Sequence, residues 1–460
     1  MNPRTARLLH GAIVPTLLAL AWPNVLVMLA QASSGLIETW WVSRLGTDAL
    51  TGMALVFPGY MMMTMLSAGA LGGGISSAIA RALGAGRQDD ADALVLHALV
   101  VNGALGLLTS LLFLVFGRPL YAAMGGEGAS LEAALAYSDV VFAGNVLLWL
   151  VNALASIVRG TGNMFLPSFA IVAGVALLVP LSPVFIFGWG PIPAMGIAGG
   201  GVAIVVTTAL TGAVLAFHLL SGRSVVHLRR STLRWPLFAD ILKVGGVGAV
   251  STLQTTLTVA LTTAIVGQHG GPGAVAGYGT GARLEYLLVP LVFGLGAPLV
   301  AMVGTNIGAG QRERALRIAL VGGGIAFGLT EAIGLVAAVW PDAWLRLFVD
   351  DAQALAAGTA YLRAVGPAYG FFGLGLALYF ASQGAGRLLW PLLGGLARLL
   401  VATLGAWAVL AAGGSLALAF GALAAALVVY GLIVGGAVAS GAWFRDRTSS
   451  PAGRPVAPAA

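Results

Sequence analysis

Three acidic residues stand inside long apolar stretches of this 460-residue chain: Glu38 in Gly35-Leu-Ile-Glu-Thr-Trp-Trp41, Glu285 in Ala282-Arg-Leu-Glu-Tyr286, and Glu331 in Gly328-Leu-Thr-Glu-Ala-Ile333. A carboxylate in apolar surroundings is costly unless it is protonated, paired or wetted, so each is a candidate carrier of a coupling proton or cation. Glu38 leads, because its segment holds no other charge. A carboxyl whose proton affinity follows the opening of a cleft meets the basic requirement of proton coupling. The alternative is a Glu38 that lies near the outer headgroups and is simply solvated. Glu285 has Arg283 two residues away, on a different helical face, so the two need not pair with each other. Glu331 has no opposite charge nearby, which leaves coupling and local polar packing both open.

Around these acids lie residues suited to hold a small organic molecule. Trp40, Trp41, Tyr60, Met61 and Met65 can line an adaptable pocket for flat, apolar cations through dispersion and cation–π contact. Tyr278, Tyr361, Tyr369 and Tyr379 form a corresponding set later in the chain, with Arg283, Gln254, Asn152 and Asn163 as polar contacts. Each has a plainer reading, as core packing, a bond between helices or an interface anchor. His97 and His218 are isolated, cysteine is absent, and no His-Glu-x-x-His or Walker loop occurs. The expectation is therefore no metal site, no cofactor and no enzyme.

Composition determines what must position these residues. The chain is 59% apolar and 8% charged, against roughly a quarter charged in soluble domains. Backbone groups in lipid have to be paired within the segment, so long apolar runs read as helices. Twelve are expected, near 12–39, 48–78, 93–117, 134–157, 166–188, 195–220, 240–268, 277–305, 315–340, 358–382, 391–413 and 416–441. Most arginines fall in alternate loops, among them Arg81, Arg87, Arg159, Arg223, Arg229, Arg230, Arg312 and Arg387, which places those loops and both termini in the cytoplasm. The net charge of +7 is spread through these loops rather than gathered on a face for nucleic acid.

The chain also repeats itself at an offset of 224 residues. Gly84-Ala85-Gly86 recurs as Gly308-Ala309-Gly310, Gly160, Gly162 and Pro167 recur as Gly384, Gly386 and Pro391, and Gly46 has a partner in Gly270. Two halves of six spans each start on the same side and are related by an axis along the membrane normal. The expected fold is all-α and polytopic, with twelve transmembrane helices in two pseudo-symmetric six-helix lobes. Its expected parts are an N-terminal segment (1–11), a first lobe (12–220), a cytoplasmic linker (221–239), a second lobe (240–441) and a disordered cytoplasmic tail (442–460). The acids do not repeat, since Glu38 corresponds to Thr262 and Glu285 to Met61.

The order of the punctuation resembles the multidrug and toxic compound extrusion family of cation-coupled antiporters. The stretches that carry it are Glu38-Thr-Trp-Trp-Val-Ser-Arg-Leu-Gly46, Ala80-Arg-Ala-Leu-Gly-Ala-Gly86, Arg159-Gly-Thr-Gly-Asn163 with Pro167, Pro183-Val-Phe-Ile-Phe-Gly188, Gly196-Ile-Ala-Gly-Gly-Gly-Val-Ala203 and Thr305-Asn-Ile-Gly-Ala-Gly310. The resemblance implies export of drugs, dyes and metabolites, often cationic, in exchange for H⁺ or Na⁺, with Glu38 at the place of the family's helix-1 aspartate. It also implies an aspartate just before Pro183 and an asparagine one turn earlier, where this chain has Ser182 and Leu178.

The expected function is thus a secondary antiporter exporting small, often cationic or amphipathic compounds against H⁺. Na⁺ coupling, or flipping of a lipid or glycolipid, is the alternative within transport, and a non-transporting scaffold or receptor the alternative outside it. The expected setting is a bacterial or archaeal inner membrane, with a monomer in contact with lipid and a small-molecule substrate.

Overall fold

The computed structural model describes residues 2–444, and the tail Arg445–Ala460 lies outside them. Helix α1 (Pro3–His10) opens with the Asn2 side chain accepting from the Arg4 amide and with a proline in its first turn. It buries Leu8 and Leu9 and leaves Arg4, Arg7 and His10 outside. This short amphipathic helix lies in the expected N-terminal segment, 1–11, outside the twelve expected spans.

The apolar runs follow as α2 (Ile13–Ser43), α3 (Thr47–Thr64), α4 (Gly72–Gly84), α5 (Gln88–Ala123), α6 (Gly128–Ala143), α7 (Asn145–Gly160), α8 (Phe165–Phe187) and α9 (Ile197–Leu220). The rest comprises α10 (Trp235–Gly308), α11 (Arg312–Val339), α12 (Pro341–Leu345), α13 (Ala352–Val365), α14 (Tyr369–Ala385), α15 (Leu389–Ala411) and α16 (Leu416–Ala439). A π-helical stretch, Met65–Leu71, joins α3 to α4 ahead of the three-glycine run. Such wide turns admit an extra residue and re-aim the side chains beyond them.

Ten of these helical stretches are long and apolar enough to cross a membrane by themselves, and α6 with α7, bent by 45° at Gly144, makes one more. The 74-residue α10 is two spans, because Gly271 adopts φ 72°, ψ −173° in its middle. At 1.5 Å per residue, sixteen helical positions span roughly 24 Å, yet Thr262 Oγ1 lies 3.0 Å from the Tyr278 hydroxyl. The chain folds back at Gly271, and the count of spans becomes the expected twelve.

The helices pack as two bodies. One apolar core runs from Val42 to Ile241, and a second from Val266 to Leu427. A third joins Leu8, Leu17 and Ala21 of the first two helices to Val292, Leu299, Ile318 and Leu378 of the second lobe. In the first lobe Ser168 bonds Asn24 and Ser182 bonds Glu38, each pair 144 residues apart, so α2 and α8 run parallel and in register.

The repeat is visible as contacts. A Cβ at Gly160 would meet the Ser76 carbonyl at 2.9 Å, and one at Gly384 the Val300 carbonyl at 2.6 Å, which is the same helix approach in each lobe, since 300 is 76 shifted by 224. Between lobes the repeat becomes reciprocal. A Cβ at Gly84 would collide with the Thr305 carbonyl, and one at Gly308 with the Arg81 carbonyl; 305 is 81 shifted by 224. Ala80 and its mate Gly304 touch each other, on the axis itself. Such reciprocity defines an isologous contact, the signature of two-fold symmetry, here within one chain. Polar bonds reinforce it: Arg81 reaches Asp240 at 2.6 Å and the Gly384 carbonyl at 3.1 Å, and Ser77 donates to the Gln383 carbonyl. All these contacts lie in the half of the bundle nearest the termini, and there the lobes are closed.

Candidate functional site

Glu38 reaches its place because α2 continues unbroken past Pro23 to Ser43, carrying the acid to the far half of the span. It is 5% exposed. Ser182 on α8 donates to its Oε2 at 2.9 Å, while Oε1 is buried with no hydrogen-bond partner among the described residues. Gly200 on α9 faces the same oxygen: a Cβ there would stand 3.6 Å from Glu38 Oε2 and 3.8 Å from the Tyr137 ring. Three helices of the first lobe therefore enclose one half-satisfied carboxyl. Ser182, which the sequence marks only as a missing aspartate, is its partner. A carboxyl with one free oxygen in a dry setting is suited to bind and release a proton, because protonation supplies charge neutrality without a counter-ion.

The second lobe holds a different arrangement at the equivalent place. Tyr361 is the repeat mate of Tyr137, and Thr262 that of Glu38; both line a cavity of about 30 Å³ together with Tyr278, Glu285 and Arg398. That volume suits a water molecule or two rather than an organic substrate. Here the acid comes from the far half of α10 instead of the first helix of the lobe. Arg398 on α15 pairs with Glu285 Oε1 at 2.6 Å, Tyr361 donates to Oε2 at 3.2 Å, and the arginine stands 5.0 Å from the Phe372 ring and 6.0 Å from Tyr430. Tyr278, Tyr361 and Phe420 pack edge-on or stacked around the cavity. A long arginine side chain inside a span can snorkel to an interface, but Arg398 turns inward to Glu285. The missed signal was that an acid and a base, each inside a span, relieve each other's burial.

Glu331 occupies a third environment. Its Oε2 accepts from the Gly370 amide at 2.7 Å, at the start of α14, where the 3₁₀ turn Gly366–Ala368 interrupts the span. Negative charge is favoured at a helix N-terminus, and that contact gives Glu331 an anchoring role.

The remaining candidates are dispersed. Trp40 lies outside with the Arg44 guanidinium 4.5 Å from its ring, and Trp41 packs inward between Trp40 and Phe187. Tyr60 is half-buried, while Met61 and Met65 are exposed. Asn152 donates to Ser67 Oγ at 2.8 Å, in the π-helical stretch. Tyr379 accepts from Gln383 at 2.9 Å, beside Gly248 and Ala70 at the seam between lobes. Gln254 reaches the Leu392 carbonyl at 3.4 Å, and Tyr369 is fully buried with its carbonyl bonded by Thr330. Arg283 is exposed and lies 5.5 Å from the Phe348 ring, away from Glu285's own partner. Asn163 lies at the opposite end of the lobe from Glu38, in a cavity beside α1. Among the described residues no group of three or more His, Cys, Asp and Glu is placed to hold a metal ion.

The protein-family model described as MatE matches residues 23–184 and, a second time, residues 248–408; the ends of the two matches, 184 and 408, are 224 residues apart. The chain belongs to the MatE family. The resemblance carried by the glycine and proline marks is thereby borne out, as is the duplicated architecture. This transporter is 28% identical over 380 residues to the FAD transporter of Shewanella oneidensis, covering 82% of each chain. It is 24% identical over 391 residues to "Probable multidrug resistance protein NorM" of Thermotoga maritima, covering 82% of this chain and 81% of the other. Among solved structures, a crystal structure of MATE in complex with MaD3S superposes with a TM-score of 0.86 at 25% identity, over 96% of this chain and 100% of that one. It is a multi-pass membrane transporter, and the two-lobed fold is the family's.

Proposed function

We propose that the transporter is a proton-driven antiporter that exports small, often cationic or amphipathic organic compounds, with Glu38 as the coupling acid. The observation that carries this reading is the Glu38 carboxyl, buried with Oε2 held by Ser182 and Oε1 free. With the termini in the cytoplasm, as the arginine-rich loops favour, the closed half is cytoplasmic and Glu38 sits toward the outer side. A proton arriving from outside neutralises Glu38 and releases cargo. The lobes then rock about the glycine seam, and the proton leaves inward. Export of multiple drugs rests on likeness to relatives such as the probable multidrug resistance protein NorM.

The test is direct. In proteoliposomes, substrate addition should drive proton movement through the wild type and not through Glu38→Gln. Unchanged proton movement in that variant removes Glu38 from the mechanism. Transport accelerated by a Na⁺ gradient and indifferent to protons favours Na⁺ coupling instead.

A second cargo class has support from the second lobe. The Shewanella relative carries FAD by its name, and a flavin nucleotide is a flat ring with anionic phosphates. Arg398 and the Tyr278–Tyr361–Phe420 cluster offer a cation and aromatic faces once the cavity widens. Retention of transport of a cationic dye and loss of flavin transport in Arg398→Gln distinguishes this cargo from the first.

A further inference from the structure

On the side where the lobes are closed, α1, the start of α2 and the start of α8 border a cavity of about 200 Å³ that none of the three acids lines. Its charged side chains are both cationic. Arg4 and Arg7, three residues apart on one face of α1, line it, and neither forms an ion pair with a carboxylate among the described residues. Asn163, 9% exposed, uses Oδ1 to accept from the Leu166 amide, so its Nδ2 remains a donor with no hydrogen-bond partner among the described residues. The cavity also meets the first residues of the 23-residue α8, whose N-terminal amides favour an anion. No carboxylate lines it.

The rest of the lining is largely apolar. Trp22, nine residues into α2 and thus roughly 14 Å along its axis, meets Phe165 edge-on at 6.3 Å, and Phe165 stacks on Phe169 at 6.1 Å. Trp22, Phe165 and Phe169 are 51%, 58% and 62% exposed, forming an aromatic strip that faces outward from the cavity. A donor-lined cavity bordered by an exposed aromatic strip fits a molecule that is itself divided: a phosphate ester carrying acyl chains.

We propose that this cavity is a specific site for an anionic phospholipid, its phosphate held by Arg4, Arg7 and Asn163 and its chains lying along Trp22, Phe165 and Phe169. The seat is coupled to the closed lobes. The Leu8 carbonyl accepts from Asn306 at 3.1 Å, the Gly11 carbonyl accepts from Arg314, and the Leu8 side chain packs on Gly162. Both lobes thus grip α1, and a bound lipid steadies that grip.

The experiment is lipid binding to the purified full-length transporter in detergent, read by native mass spectrometry and by the thermal-unfolding midpoint. The probes are phosphatidylglycerol, phosphatidylcholine and inorganic phosphate. Phosphatidylglycerol is expected to bind wild type and raise its midpoint more than phosphatidylcholine does. Arg4→Gln/Arg7→Gln should weaken it roughly 25-fold, taking about fivefold per basic residue at a membrane surface. Arg230→Gln/Lys243→Gln, which removes the same charge elsewhere, should leave binding within twofold. Trp22→Ala should weaken phosphatidylglycerol without changing the response to inorganic phosphate. Equal weakening in the two double variants, equal binding of phosphatidylcholine, or stabilisation by inorganic phosphate alone that blocks phosphatidylglycerol each overturns the proposal, the last by identifying a soluble phosphate as the ligand.

Discussion

Ser182 donates a hydrogen bond of 2.9 Å to Oε2 of Glu38, across two helices that run parallel with a fixed separation of 144 residues. The serine stands where the family resemblance implies a second acid. One carboxyl and one hydroxyl replace a carboxylate pair, so charge repulsion is absent and a single group is left to titrate.

Ser182→Ala should preserve transport and alter its pH dependence, because the serine hydroxyl is the side-chain donor to the Glu38 carboxyl. Glu38→Gln should abolish proton-linked transport at every pH. The measurement is initial efflux rate against pH in proteoliposomes. An identical profile in Ser182→Ala would assign the serine to packing alone.

The twelve spans and the duplication were legible because both rest on backbone demands: apolar runs long enough to cross lipid, and glycines wherever helices approach too closely for a Cβ. Gly84 and Gly308 mark helix ends in the sequence, and in three dimensions they are the inter-lobe seam. Side-chain partnership was much less legible. Glu285 and Arg398 are 113 residues apart, and no local pattern says that two charges in separate spans share one place. Glu331 was ambiguous for a similar reason, since its partner is the backbone amide of Gly370, which carries no sequence signature. α1 went unread because eight residues are too few to show periodicity persuasively.

The Glu285–Arg398 pair should behave as a unit. Both side chains are mostly buried, at 15% and 12% exposure. Neutralising either alone leaves an uncompensated charge, which costs about 3–5 kcal/mol. Arg398→Met and Glu285→Gln should each lower the unfolding midpoint in detergent, while the double variant recovers most of the loss. Additive losses in the double variant would show that the two charges do not stabilise each other.

Glu331→Gln should cost about 1–2 kcal/mol of stability, the scale of a charge-assisted bond at a helix N-terminus. Proton-to-substrate stoichiometry should be unchanged, since the carboxylate serves the Gly370 amide. A reduced stoichiometry in reconstituted vesicles would return Glu331 to the list of coupling acids.

The glycine seam makes the sharpest conformational prediction. Gly84→Ala places a methyl group against the Thr305 carbonyl, and Gly308→Ala places one against that of Arg81; both partners are backbone, which cannot rotate aside. Overpacking of this kind costs about 1–3 kcal/mol, which lowers the closed population roughly 5- to 150-fold. Because the contact is reciprocal, the two variants should have matching effects. Gly246→Ala, with nothing within 4 Å, should have none. Spin labels at Arg87 and Gln311, in the loops just beyond the two glycines, report the separation by electron–electron resonance. Both seam variants should lengthen that distance and slow transport while leaving helix content intact. A long distance in one variant and a wild-type distance in the other would mean that the two halves of the seam do not close together.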